Sequence, residues 1–367
     1  MMKRMLFAAM VAGLAVAPAV LGGEAHAQDY AEGWINLFDG ETLFGLQALG
    51  DTEWEVSDGV LSCKQGTGGW IATTGRWGDF ELTMKIRVAP KQTAAVVVRA
   101  PLSGHPSENG SVVIPVRGAE SGYDWQEVSV VAEGNAVKAK INGQDAAVAA
   151  PGSAIGYIGI LYQGGRVEAS GIKLRPLTMK PIFNGTDLTG WNIIPEHKSV
   201  FTVEDGAIRI KNGNGQIETD GLYKNFVLQL DIFSNGDHLN SGVFFRGPKG
   251  VFWKGYESQV RNEWKDERTN PVDFGTGGLY AIQPARSVVS SDREWFYKTL
   301  LCDGNHFAVW INGYAVSDFL DMRPAVDNSD GKAGYVGAAG TIHLQGHDPT
   351  TDLSFKNIRL QEYPSGE

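Results

Sequence analysis

Asn36-Leu-Phe-Asp-Gly-Glu-Thr-Leu-Phe-Gly-Leu46 reappears further along the chain as Pro181-Ile-Phe-Asn-Gly-Thr-Asp-Leu-Thr-Gly-Trp191. Working outward, Trp54-x-Val56-x-Asp58-Gly59-x-Leu61 is matched by Phe201-x-Val203-x-Asp205-Gly206-x-Ile208. Val96-Val-Val-Arg99-Ala-Pro101 is matched by Val243-Phe-Phe-Arg246-Gly-Pro248. The offset stays near 147 residues up to this point and is 170 by the Ile141-Asn142-Gly143 and Ile311-Asn312-Gly313 pair. A period this long means tandem domains rather than a solenoid. The second copy carries about 23 additional residues between Pro248 and Trp295.

Within each copy the apolar positions alternate. Phe80, Leu82, Met84, Ile86 and Val88 do so in the first, and Phe226, Leu228, Leu230 and Ile232 in the second. A period of two puts those residues on one face of a strand. Glu133-Gly-Asn135 and Asp303-Gly-Asn305 read as hairpin turns between such runs. With 47 glycines in 367 residues and 43% hydrophobic content, the chain is too glycine-rich for helical bundles and too apolar for disorder. The expected fold is all-β: two tandem jelly-roll β-sandwiches, residues 28–176 and 177–367.

Residues 1–27 have the layout of a secretory signal: Lys3 and Arg4, an apolar run from Leu6, and Ala25-His26-Ala27 as a cleavage site. They predict an exported chain, periplasmic or extracellular, with no membrane span after cleavage. The formal charge of −10 and the absence of clustered Lys and Arg argue against nucleic acid as a partner. Cys63 and Cys302 fall in different copies and read as two buried thiols. No His/Cys cluster has zinc spacing, so no metal ligands are assigned. Asp327-Asn-Ser-Asp330 reads first as a turn; a divalent cation such as calcium is the alternative for its oxygens.

Where the copies differ, polar residues gather in the second. Even spacing puts Asn240, Phe244 and Arg246 on one face, Glu257 with Gln259, and His343 with Gln345 and His347. The extra segment adds Trp253, Trp264, Tyr280 and the Gly275-Thr-Gly-Gly278 loop, whose rings would stack on sugars. The first copy has Thr93-Ala-Ala95 for Asn240-Ser-Gly242, reads as lacking the Glu257/Gln259 strand, and has Gln163 and Gly165 where the second has Gln345 and His347. Any chemistry is therefore expected in the second copy, with the first as a binding, packing or lid-like domain.

At these residues the second copy resembles the 3-keto-disaccharide hydrolase family. The resemblance rests on Ile182-Phe-Asn-Gly-Thr-Asp-Leu-Thr-Gly-Trp191, Asn240-Ser-Gly-Val-Phe-Phe-Arg246, Tyr256-Glu-x-Gln259, Thr276-Gly-Gly-Leu-Tyr280, Gln345-Gly-His347 and Phe355-Lys-Asn-Ile358. It implies a concanavalin-like sandwich and action on glycosides already oxidised at C3, with a separate C3-oxidising dehydrogenase upstream. It departs where Tyr-Glu-x-Gln is often followed by Asp, since this chain has Asn262. A C3 ketone acidifies the C2 proton, so cleavage by elimination needs a base, an acid and a group for the enolate oxygen. His347 and Glu257 are the proton-transfer candidates. Arg246 is the candidate for the enolate oxygen, with pairing to Glu257 as its alternative. Asn240, Gln259, Gln345, Tyr280, Trp264 and Asp348 are the substrate-binding candidates, Asp348 also being a plain hydrogen-bond partner for His347. The alternative function is a non-catalytic carbohydrate-binding module, because a jelly roll by itself does not settle activity.

Overall fold

The computed structural model describes residues 30, 32–106 and 110–364. The secretory-signal segment, residues 1–27, lies outside them. Every regular element among the described residues is a β-strand, and no helix there is long and apolar enough to cross a membrane.

The second unit is a two-layer sandwich. An eight-stranded antiparallel sheet has Phe226–Ser234, Trp295–Asp303 and Asp352–Glu362 at its centre. A five-stranded sheet runs in the order Trp191–Ile193, Gly215–Thr219, Thr341–Gly346, Ser241–Gly247, Tyr256–Val260. Alternation seats the core between them: Leu228, Leu230 and Ile232 from one layer meet Ile217, Val243, Phe245 and Leu344 from the other.

In the first unit the same layers join into one eleven-stranded sheet. Its strand Val60–Thr73 pairs through Leu61–Cys63 with Val167–Pro176 in one layer. Through Gly69–Ala72 it pairs with Tyr157–Tyr162 in the other. The second unit breaks the equivalent hairpin into short pieces. Pro195 follows the strand Trp191–Ile193, and Asn212 and Gly213 take positive φ between Ala207–Lys211 and Gly215–Thr219. Proline has no N–H for the ladder, and left-handed residues end it.

Two sequence expectations are corrected here. The first unit does possess the strand that was read as absent: Val112–Arg117 lies on Thr93–Ala100 as Tyr256–Val260 lies on Ser241–Gly247. Val113 and Pro115 stand where the second unit has Glu257 and Gln259. The residue at the Gln345 position is Leu161, because Ile160 pairs with Val96 as Leu344 pairs with Val243. The additional residues of the second unit therefore lie mainly in Arg261–Glu294, which follows this edge strand.

The first unit packs on the outer face of the eight-stranded sheet. Val227, Leu301, Ala308, Trp310 and Tyr363 join its core cluster, with Trp77 edge-on to Trp310 at 5.5 Å. The side chains of Arg76 and Asp303 make two bonds of 2.6 Å across the junction. The five-stranded sheet faces the opposite way, which gives the first unit a packing geometry rather than a lid's. Trp77→Ala is expected to cost about 3–5 kcal/mol of stability in thermal unfolding. It should also split a single transition into two, since that ring packs the first unit's core onto Trp310 of the second. One unchanged transition would refute the shared core.

Candidate functional site

The outward face of the five-stranded sheet is polar and buried. One row across it runs Glu218, His343, Phe244, Glu257, and the next runs Gln216, Gln345, Gly242, Gln259. All the side chains in these rows are at most 5% exposed. The loop Pro248–Gly255 is pinned over the face by backbone donors. Gly250 N–H donates to the Glu218 carboxylate at 2.9 Å, and Trp253 N–H donates to Gln216 Oε1 at 2.8 Å. From the other side the insertion brings Asp273, whose carboxylate accepts from Asn240 Nδ2 at 2.8 Å and from Gln259 Nε2 at 3.2 Å.

Glu257 is the chemical centre of this face. Burial pushes its carboxyl up to about 8; Lys332 opposes the shift and Asp273 adds to it. It is therefore mostly protonated at neutral pH and able to give or take a proton near it. Burial also pushes the Tyr280 hydroxyl up, with Asp273 and Glu257 adding to the shift, which places that ring beside the same carboxyl. Lys332 Nζ lies 4.7 Å from the Trp253 ring centre and 3.0 Å from Asp330. His343 is held neutral, pushed down to about 4 by burial, with its nitrogens facing Gln216 Oε1 at 3.2 Å and Thr341 Oγ1 at 2.5 Å. Gln216 Nε2, Asn240 Oδ1 and Gln345 Oε1 are buried without hydrogen-bond partners. Unmet polar atoms of this kind are costly in a core and useful against a ligand's hydroxyls.

Two glycines make the room. A Cβ on Gly242 would come within 2.3 Å of Glu257 Oε1, and one on Gly247 within 2.7 Å of His343 Nε2. Gly242→Ala is therefore expected to displace the Glu257 carboxyl and to lower the thermal midpoint by a few degrees. An unchanged midpoint would mean that the face accommodates the added methyl.

The first unit shows this face without the polar groups. Trp70, Ala72, Ala95, Val97 and Leu161 form an apolar cluster there, with Val113 packed on it. Trp70 stands at the position of Gln216, Gly159 at that of His343 and Val113 at that of Glu257.

Of the candidates from sequence, Glu257, Gln259, Asn240 and Gln345 do share the face, and Tyr280 adjoins it. His347 stands at its open rim, with Nδ1 3.0 Å from Asp348 Oδ2. Strand geometry puts it roughly 16 Å from Glu257 between Cα atoms, two strands across and four residues along. At Trp264 the Arg268 guanidinium sits 4.2 Å over the ring and covers one of its two faces. Arg246 is corrected. A bulge interrupts the register between Phe244 and Gly247, Arg246 takes φ 55°, and its side chain leaves the polar face. The guanidinium donates instead to the carbonyls of Val336 (2.8 Å), Lys224 (2.8 Å) and Gly304 (2.7 Å). Arg99 takes φ 56° and donates to the carbonyl of Gly134, so this device belongs to the repeated scaffold.

Asn262 supports the insertion: its Oδ1 accepts from Thr276 (2.5 Å) and Ser290 (2.6 Å). The further carboxylate on the face comes from Asp273, which the sequence reading missed, as it missed Gln216, Glu218 and Lys332. Spacing was available for Gln216 and Glu218, which alternate with buried Ile217. Asp273 and Lys332 arrive on loops, where no periodicity marks them. In the Asp327–Asp330 turn, the Asp330 carboxylate accepts from Lys254 at 2.8 Å and pairs with Lys332 at 3.0 Å, so ammonium groups take those oxygens. Among the described residues no cluster of His, Cys, Asp and Glu is grouped to hold a metal.

A family model described as the 3-keto-alpha-glucoside-1,2-lyase-like domain matches the chain twice, over residues 33–175 and 178–361. No curated protein sequence matches it. Among solved structures, a Parabacteroides distasonis ATCC 8503 protein, provisionally designated a glycosyl hydrolase, is 23% identical with a TM-score of 0.41; the match covers 50% of this chain and 94% of that one. The carbohydrate binding module CBM66 of Bacillus subtilis is 16% identical with a TM-score of 0.34, over 47% of this chain and 96% of that one.

Proposed function

Because the chain belongs to the 3-keto-alpha-glucoside-1,2-lyase-like family, we propose that its second unit cleaves the glycosidic bond of glycosides already oxidised at C3. The reaction is removal of the C2 proton followed by loss of the C1 oxygen substituent, with or without later water addition. The observation that carries this reading is Glu257: a carboxyl pushed up to about 8 on a buried polar face whose counterpart in the first unit is packed with Trp70 and Val113.

In an α-glucoside the C1–O bond and the C2–H bond are both axial and point to opposite faces of the ring. Base and acid then stand on opposite sides of the sugar and need not touch. Glu257, protonated near neutrality, gives its proton to the leaving oxygen. His347 gives its Nδ1 hydrogen to Asp348, which leaves the Nε2 lone pair at the rim to take the C2 proton. Lys332 is the nearby cation for the enolate oxygen, in the role that Arg246 cannot fill. Asn240, Gln259 and Gln345 orient hydroxyls, and Tyr280 and Trp253 supply ring surface. The chain supplies no hydride acceptor of its own in this scheme, so a separate dehydrogenase makes the 3-keto substrate. The leader-like residues 1–27 support a site of action outside the cytoplasm.

The test is a chromogenic α-glucoside presented before and after C3 oxidation. Release only from the oxidised form is expected. His347→Ala should lower kcat about 10²–10⁴-fold with KM changed far less. Release from the unoxidised sugar, or undiminished release by both His347→Ala and Glu257→Gln, would end this reading. Retention on the glycoside without cleavage would favour the binding module, the reading to which the unpaired polar atoms of the face also lend themselves.

A further inference from the structure

A second cleft lies away from the Glu257 face, at the junction of the two units, with a volume of 660 Å³. The first unit contributes Gln47, Thr74 and Tyr157, and the second Asn305, His306 and Asp318. We infer that this junction cleft is a binding site for a neutral saccharide, separate from the cleavage site.

Its volume falls in the range of sites for small ligands, which favour domain junctions. Its charged groups are already engaged by hydrogen bonds. Arg76 and Asp303 are paired by two bonds of 2.6 Å, and the Asp318 carboxylate accepts from Thr74 and lies 2.7 Å from His306 Nε2. Each charged group there already has a partner within the protein, so the ligand that suits the cleft is hydroxyl-bearing and uncharged. A carboxylate only accepts, so Nε2 of His306 carries the hydrogen that faces Asp318. Gln47, Asn305 and the Tyr157 hydroxyl bring amide and hydroxyl groups to the same lining, which suit a sugar's hydroxyls.

The other half of the cleft is apolar. Pro101, Leu102 and Ile155 line it on one side, and Leu320, 54% exposed, on the other. A pyranose has this same division, with C–H faces and a hydroxyl rim. The half-buried Tyr157 adds a ring and a hydroxyl, which burial pushes above its ordinary range. Both halves exist only because the units are docked. The first unit thereby gains a ligand role although its own sheet face is filled by Trp70.

The experiment titrates the full chain with methyl α-glucoside, methyl β-glucoside, trehalose and cellobiose, followed by ligand-observed NMR. These sugars carry no ketone and no cleavage is read, so the outcome is independent of the proposed reaction. At least one sugar is expected to bind. Leu320→Arg, a surface change, and Tyr157→Ala should each weaken that binding about tenfold or more, while Glu257→Gln leaves it within about twofold. Failure of all the sugars to bind overturns the proposal. So does binding that survives Leu320→Arg and is lost in Glu257→Gln, since the sugar would then occupy the cleavage site alone.

Discussion

Glu257→Gln is expected to lower turnover of a 3-keto-α-glucoside by about 10²–10⁴-fold, because the amide keeps the shape of the carboxyl and has no proton to give. The same substitution should change how stability depends on pH. The carboxyl is pushed from an ordinary 4.5 up to about 8. Between those values the folded chain keeps a proton that the unfolded chain releases. Raising the pH through that window therefore costs stability, in total on the order of a few kcal/mol. Lys298, which burial pushes down to about 7, acts in the opposite sense over roughly 7 to 10.5. His343, which burial pushes from 6.5 down to about 4, also acts in the opposite sense below about pH 6.5, so the Glu257 effect is read as a difference between the two proteins. From about pH 5 to 7 the thermal midpoint of Glu257→Gln should climb steadily relative to that of the native chain. For turnover, loss of the acid should reduce kcat as pH rises through about 8. Parallel midpoints in the two proteins would show that Glu257 is not held protonated.

Arg246→Ala is expected to be the most damaging single change to the second unit, at about 3–5 kcal/mol. Its guanidinium is 1% exposed and satisfies the carbonyls of Lys224, Val336 and Gly304. Its removal leaves these acceptors buried without donors and opens a cavity. The residue touches nothing on the polar face, so kcat per folded molecule, measured well below the midpoint, should stay near that of the native chain. Urea unfolding with active-site titration separates the two readouts. A large fall in kcat with an unchanged midpoint would return Arg246 to the chemistry.

The repeat itself was legible because its signatures are local. Asp58-Gly59 and Asp205-Gly206 form turns with positive φ in both units, and strand alternation alone fixes which residues reach the core. That alternation also found the rows holding Glu257, Gln259 and Gln345. It misplaced Arg246, because a bulge adds one residue to one strand and reverses every face beyond it. It missed Asp273 and Lys332, which reach the face on loops whose course depends on distant anchors such as Asn262 and Asp330.

The sequence by itself determined two β-sandwich copies and located the unequal set of polar residues in the second, since turns and period-two patterning are properties of neighbouring residues. Only the tertiary structure decided which carboxyl is chemically unusual, because the burial of Glu257 comes from a loop and an insertion folded over the sheet. It alone decided, too, that Trp70 fills the corresponding face of the first unit, and that docking the first unit on the outer face of the eight-stranded sheet creates a cleft neither copy possesses. Burial and juxtaposition depend on segments far apart in the chain, and no local pattern records them.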